Sequence, residues 1–262
     1  MDRRYLEKLH GRYGYSTQFL EKVYHLVRLL SCFSESGLLS RNLALKGGTA
    51  ISFIYTGLQR LSIDVDFNFI GSKDRADMLR VRPEIIKEVR GIGEKLGYEY
   101  SASHPYACSR IVFGYSTAFG RKDRVKVEIN FVRRFPVLGT VSKRLVHVFE
   151  DLPGFYVNTY RIEELAAMKI MILSERVRVK DIFDLFMLSR KKIDVKHVRR
   201  VLSGYSKTYN AEMGLEDIKN AIEGCDSAVL RRELLPYLPK GARFEFEKAK
   251  EELLVFLEEV LT

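Results

Sequence analysis

Two stretches of this chain, "LSIDVDFNF" from Leu61 to Phe69 and "VKVEINF" from Val125 to Phe131, alternate apolar and polar residues at every position. Successive side chains on a strand point to opposite faces, so each stretch must lie in a sheet with one face against a core. In the first, Leu61, Ile63, Val65, Phe67 and Phe69 form the apolar row, and Ser62, Asp64, Asp66 and Asn68 the polar one. In the second, Val125, Val127, Ile129 and Phe131 alternate with Lys126, Glu128 and Asn130. Both polar faces therefore carry carboxylates. Asp is depleted from strands, so two of them at alternate positions ask for a local reason.

The flanking sequence sets these strands in an α+β domain. Thr17 to Leu39 repeats apolar residues every three or four positions and reads as an amphipathic helix. "NLALKGG" is a short strand ending in a glycine turn, and "TAISFIYTG" a short helix closed by Gly57. Asp74 to Gly97 reads as helical, re-starting at Pro83, a residue suited to a first helical turn. "ACSRIVFGYSTAFGRKDRVKVEINFV" is two β-rich runs about a glycine-containing turn, hence a hairpin. "RFPVLG" and "EDLPGFYVNTY" hold Pro and Gly and read as loops between two halves. Beyond them come "RIEELAAMKIMILSER", "VKDIFDLFMLSRK", "DVKHVRRVLSGY" with Asp194 as N-cap, "LEDIKNAIEG" and "ARFEFEKAKEELLVFLEEVL", all helical in period. The expectation is a mixed sheet with flanking helices over residues 1–150, followed by an all-helical domain over residues 151–262.

Composition narrows the class. With 46% hydrophobic and 30% charged residues the chain is globular, and no apolar run approaches the roughly 20 residues of a membrane span. The first residues, "MDRRYLEKLHGRYGYS", lack the apolar core of a signal peptide, so a cytoplasmic protein is expected, with no membrane partner. Cys32, Cys108 and Cys225 are too scattered for a disulfide framework or a zinc site. The five histidines show no metal-ligand spacing. A formal charge of +10 favours polyanions, although a generically solvated Lys-rich surface explains it equally well.

Residues two apart on a strand lie about 6.6 Å apart on one face, so Asp64 and Asp66 project together. Such carboxylates repel unless solvent or a cation intervenes, and Mg2+ is commonly held by one or two carboxylates while phosphates and water complete its shell. Glu128 adds a third ligand if its strand neighbours the first, which would permit a two-metal arrangement. Gly47 and Gly48 stand where strand passes into helix, so backbone N–H groups can face a phosphate and the missing side chains let it approach, with Thr49 adding a hydroxyl. Each feature alone has a plain reading as a turn or a polar strand face; together they point to a metal–phosphate site. Ser62 shares the aspartate face and is read as an exposed strand serine. Asp181 and Asp184 share a helix face, where Lys180, Arg176 or Arg178 would be their partners. Lys169 sits in the apolar "LAAMKIMIL", and its head must reach solvent or an anion.

"LKGGTAIS" and "RLSIDVDF" resemble the glycine-glycine and Asp-x-Asp signature of the DNA polymerase β-like nucleotidyltransferases. With "EELAAMKI" and "RVRVKDIFDL", the stretch from Leu43 to Leu188 is similar to the AbiEii/AbiGii-type nucleotidyltransferase toxins of toxin–antitoxin and abortive-infection systems. The resemblance implies that Gly47, Gly48 and Thr49 bind phosphate and that Asp64 and Asp66 hold metal, with Arg60 in the preceding basic position. It implies Glu128 as the third carboxylate, Lys169 as a contact to nucleotide phosphate, and Asp181 and Asp184 as the acidic pair of an "RDxxD" element. There the chain departs: Lys180 replaces the arginine, which keeps the charge and loses the planar fork.

The expected enzyme is an NTP-dependent, pyrophosphate-releasing nucleotidyltransferase with Mg2+, or Mn2+, as cofactor. Glu128 or Asp181 would position or deprotonate the acceptor hydroxyl, while Lys169 and Arg60 offset the charge on departing pyrophosphate. The resemblance points to an RNA acceptor, best a tRNA 3′ end, and to a cognate antitoxin partner. Transfer to a small molecule or a protein hydroxyl is a second reading. A non-catalytic nucleotide- or RNA-binding module is a third.

Overall fold

The computed structural model describes residues 1–209 and 214–262. The chain divides into two compact units, Met1–Pro136 with Thr140–Thr159, and Val137–Gly139 with Tyr160–Thr262.

The first unit is built on a seven-stranded mixed sheet. Its strands are β1 (Leu43–Lys46), β2 (Asp64–Phe69), β3 (Glu99–Ser103), β4 (Cys108–Ser116), β5 (Lys122–Asn130), β6 (Thr140–Arg144) and β7 (Tyr156–Tyr160), in the order β3-β4-β5-β2-β1-β7-β6. β2 runs antiparallel to β1 and parallel to β5, and β4 and β5 form the expected hairpin. Three strands depart from the sequence reading. The second half of "EDLPGFYVNTY" is β7, paired with β1 at Leu45 and Thr159, and its Pro and Gly belong to the connection before it. β6 and β3 lie at the two edges and carry mostly exposed polar residues, so no apolar alternation announces them.

The unit's helices are α1 (Arg3–Tyr13), α2 (Thr17–Glu35), α3 (Gly37–Asn42), α4 (Gly47–Ala50) and α5 (Arg75–Lys95); α2 and α5 pack on one face of the sheet, and α1 packs on α2. Ser16 caps α2 and Ser36 ends it by capping α3, so the run Thr17 to Leu39 is two helices, not one. On α5 Gly93 comes so close to Phe113 of β4 that a Cβ there would lie 2.0 Å from the ring. His25 of α2 lies against Tyr115 of β4 with ring centroids 3.8 Å apart. Pro83 does not restart α5: the helix is continuous from its N-cap Asp74, and Pro83 sits on its exposed side where solvent can serve the carbonyl it leaves unbonded.

The second unit is helical: α6 (Ile162–Glu175), α7 (Val179–Ser189), α8 (Val195–Tyr209), α9 (Leu215–Glu223), α10 (Ser227–Leu234) and α11 (Phe246–Leu261). Asp194 caps α8, accepting from the Lys196 N–H at 2.9 Å. The short α10 was not expected from the sequence. No described helix is long and apolar enough to cross a membrane.

Candidate active site

The site residues of the first unit are set by register. β1 ends at Lys46, opposite Asp66 on β2, and on the other side of β2 Asp64 faces Lys126 and Asp66 faces Glu128 of β5. Asp64 is exposed and Asp66 half-buried. Strand neighbours lie about 4.8 Å apart, so Lys46 and Lys126 place positive charge beside two carboxylates that would otherwise repel. Neither lysine was singled out in the sequence. Lys126 was visible at an alternate position beside Glu128, but its register with Asp64 was not.

Directly after Lys46 the backbone enters the left-handed region at Gly47, with φ of 69°, and turns at once into α4. A Cβ on Gly47 would lie 2.8 Å from Asp66 Oδ2, and one on Gly48 would lie 2.2 Å from Arg60 Nη2. The space left by the two absent side chains is thus taken by the chain's own carboxylate and guanidinium. Arg60 is buried and donates from Nη1 to the Leu61 carbonyl at 2.9 Å. Thr49 is also buried, its hydroxyl within hydrogen-bonding range of Ser62 Oγ and the Asp64 carbonyl, so it braces the turn against β2. Ser62 is therefore buried, contrary to the reading of an exposed strand serine, because β2 begins only at Asp64 and the chain before it packs under the turn. After α4 the helix widens over Ile51–Tyr55, closing with the Thr56 N–H on the Ile51 carbonyl at 2.9 Å, a π-type turn of the kind found near functional sites.

The donors on this face are all oxygens, as a hard divalent cation requires, and the Asp64 and Asp66 pair with substrate phosphates fits Mg2+. Glu128 neighbours Asp66 on the same face, but its carboxylate leans to Arg110 at 3.4 Å, and the pair is largely exposed. Among the described residues no three carboxylate, imidazole or thiol groups converge closely enough to hold an ion by themselves.

In the second unit Lys169 is buried between two carboxylates, its Nζ 2.6 Å from Asp181 and 2.8 Å from Asp184. The Lys169 head, expected to reach solvent or an anion, reaches two of the chain's own carboxylates, and these α7 aspartates pair with Lys169 where Lys180, Arg176 or Arg178 was expected. Lys180 instead lies over the Tyr237 ring at 4.3 Å. The sequence hid this because α7 is buried nearly all round and so has no solvent face for its acids. A third buried acid of this unit went unremarked in the sequence. Glu164 of α6 accepts from the Val137 and Leu138 N–H groups at 2.8 and 2.9 Å and from the Tyr205 hydroxyl at 2.6 Å. Burial raises its pKa, opposed by the Tyr205 hydroxyl and the two N–H groups.

A family model described as the nucleotidyl transferase AbiEii toxin of type IV toxin–antitoxin systems matches residues 28–254. The chain belongs to this family. It is accordingly a nucleotidyltransferase toxin, and membership implies a nucleotide substrate and an antitoxin partner. Among solved structures it is similar to MenT4, a nucleotidyltransferase toxin from Mycobacterium tuberculosis, with a TM-score of 0.70 and 17% identity over 98% of this chain and 90% of that one. At that identity the likeness speaks for the fold. Weaker matches are the antibiotic-resistance factor ANT(2'')-Ia (TM-score 0.46, 14% identity, 74% of this chain, 94% of that one) and a nucleotidyltransferase-like protein of Paracoccidioides brasiliensis (0.43, 14%, 76% and 95%). A search of curated proteins finds no match.

Proposed function

We propose that this AbiEii-family enzyme transfers a nucleotidyl group from an NTP to a hydroxyl of an RNA, the 3′ end of tRNA being the favoured acceptor. The observation that carries the proposal is the seating of Asp66 against Gly47, with Asp64 two residues away on the same strand face. That contact joins the glycine turn and the acidic strand into one site, where triphosphate and cation belong together. Asp64 and Asp66 would hold Mg2+, or Mn2+, which when bound supplies positive charge against the triphosphate. Arg60 adds fixed positive charge beneath Gly48, where departing pyrophosphate would be offset electrostatically.

Glu128 is the preferred group to orient the acceptor hydroxyl or take its proton. It is half-exposed and held by a surface ion pair that is weak, whereas Asp181 is committed to a buried lysine. Lys169 is proposed as a positioning residue for Asp181 and Asp184. The RNA acceptor is supported by the charge of +10 and by the resemblance to the toxin family.

Labelled NTPs with Mg2+ and total cellular RNA provide the test. A discrete labelled RNA is expected, and Asp66→Asn should abolish it. Label on the protein itself or on a small molecule would replace the RNA acceptor by those hydroxyls. NTP binding with no transfer to any acceptor would reduce the chain to a binding module.

A further inference from the structure

The polar face of the sheet continues beyond the aspartates as a row of bases on β5. Lys126, Arg124 and Lys122 occupy alternate positions and are all exposed, and Lys126 stands in register with Asp64. Beside them Val112 is opposite Lys126, Gly114 opposite Arg124 and Ser116 opposite Lys122, with Ser101 beyond Val112 and the Glu99 side chain beyond Gly114. The bases recur about every 6.7 Å and span about 13 Å in all. Successive phosphates along an extended single strand have much the same spacing. No ion pair engages Arg124 or Lys126 among the described residues, whereas Lys122 is paired with Glu99.

We infer that this ladder is the track for the acceptor strand: a single-stranded polynucleotide lies along β5, successive phosphates on Lys126, Arg124 and Lys122, its end delivered to Asp64 and Asp66. The inference rests on the proposed RNA acceptor and deepens it. Charge complementarity selects the occupant, since single-strand binding combines a basic track with sequence-tolerant contacts, and the low floor of Val112 and Ser101 beside Lys126 leaves the backbone room to lie flat. Glu99 limits the far end by neutralising Lys122.

The test is fluorescence anisotropy of a labelled mixed-sequence 12-nucleotide RNA as salt is varied, with Mg·NTP binding and transfer measured separately. The Arg124→Glu/Lys126→Glu variant should bind the RNA at least about tenfold more weakly, with a log–log salt slope lower by about 1.4, at ~0.7 for each phosphate no longer neutralised. Because Lys126 stands beside Asp64, the NTP control is the single Arg124→Glu variant, which should weaken RNA binding severalfold with its Mg·NTP affinity unchanged. Glu99→Gln should tighten RNA binding about twofold by releasing Lys122 from a surface pair. Unchanged RNA affinity in the double variant overturns the track, as does an equal loss in the control Lys87→Glu, an exposed base on α5, which covers the opposite face. Poly-glutamate of equal charge binding as tightly as the RNA would overturn it in favour of an acidic protein. Failure of the wild type to label any RNA while the 12-mer still binds at the ladder would defeat the proposed acceptor chemistry and leave the track standing.

Discussion

At the scale of single residues the decisive contact is between a missing side chain and a carboxylate. Gly47→Ala must place a Cβ 2.8 Å from Asp66 Oδ2 while holding φ at 69°, so both backbone and acid have to move. The left-handed conformation alone costs about 1–2 kcal/mol for a residue with a side chain. The expected result is a modest fall in melting temperature with a disproportionate loss of transfer, on the order of 100-fold, since about 1 Å of misplacement at a reacting centre has that effect. A loss of activity no larger than the loss of folded protein would contradict the assignment. His25 gives a pH prediction. Burial, aided by the charge of Arg28, pulls its pKa down to about 4, and its ring lies against Tyr115 with Nδ1 2.8 Å from the Tyr98 hydroxyl. The unfolded chain therefore binds the proton first, so this contribution is complete above about pH 6.5 and is lost as pH falls toward 4, by about 2–3 kcal/mol. Urea midpoints should fall across that window in the wild type and fall less in His25→Phe; parallel pH profiles would refute it.

At the scale of elements, the buried ion group joins α6 to α7. Lys169→Met strands two carboxylates in the interior and should destabilise the second unit by about 3–5 kcal/mol. Adding Asp181→Asn and Asp184→Asn to Lys169→Met should recover most of that loss, as read by denaturant unfolding. Failure to recover stability would mean that Lys169 holds its helix by contacts other than these. This group also marks where sequence reading stops. Alternation and glycine turns announced β1, β2, β4 and β5, because each is governed by neighbours a few residues away. The ion group was invisible because its partners are 12 and 15 residues apart on different helices and two of its members lie on a helix without a polar face. Likewise Asp64 and Asp66 were legible as a pair, while the seating of Asp66 on Gly47 and the register of Lys126 depend on strand pairing that local pattern does not encode.

At the scale of the whole molecule, the path of the chain departs most from the sequence reading. "RFPVLG" and "EDLPGFYVNTY" read as loops between two halves, yet Val137–Gly139 belongs to the helical unit and the chain then returns to add β6 and β7 to the sheet. Proline and glycine punctuate that path without revealing its destination, because the 137–138 backbone is held by a buried acid far along the sequence. Glu164 Oε1 takes the Val137 N–H and the Tyr205 hydroxyl, and Oε2 takes the Leu138 N–H. Glu164→Gln replaces one acceptor oxygen by an amide NH2, a donor. If the remaining oxygen keeps Val137 and Tyr205, the Leu138 N–H faces another donor, a buried unsatisfied group that costs about 1–3 kcal/mol. Hydrogen exchange should therefore quicken at Leu138 far more than at Val137, and protease should nick the 137–139 segment sooner, while amides of β2 and β5 keep their protection. Equal acceleration at both amides, or loss of protection throughout the sheet, would show that Glu164 supports the helical unit generally and does not act as the latch on this segment.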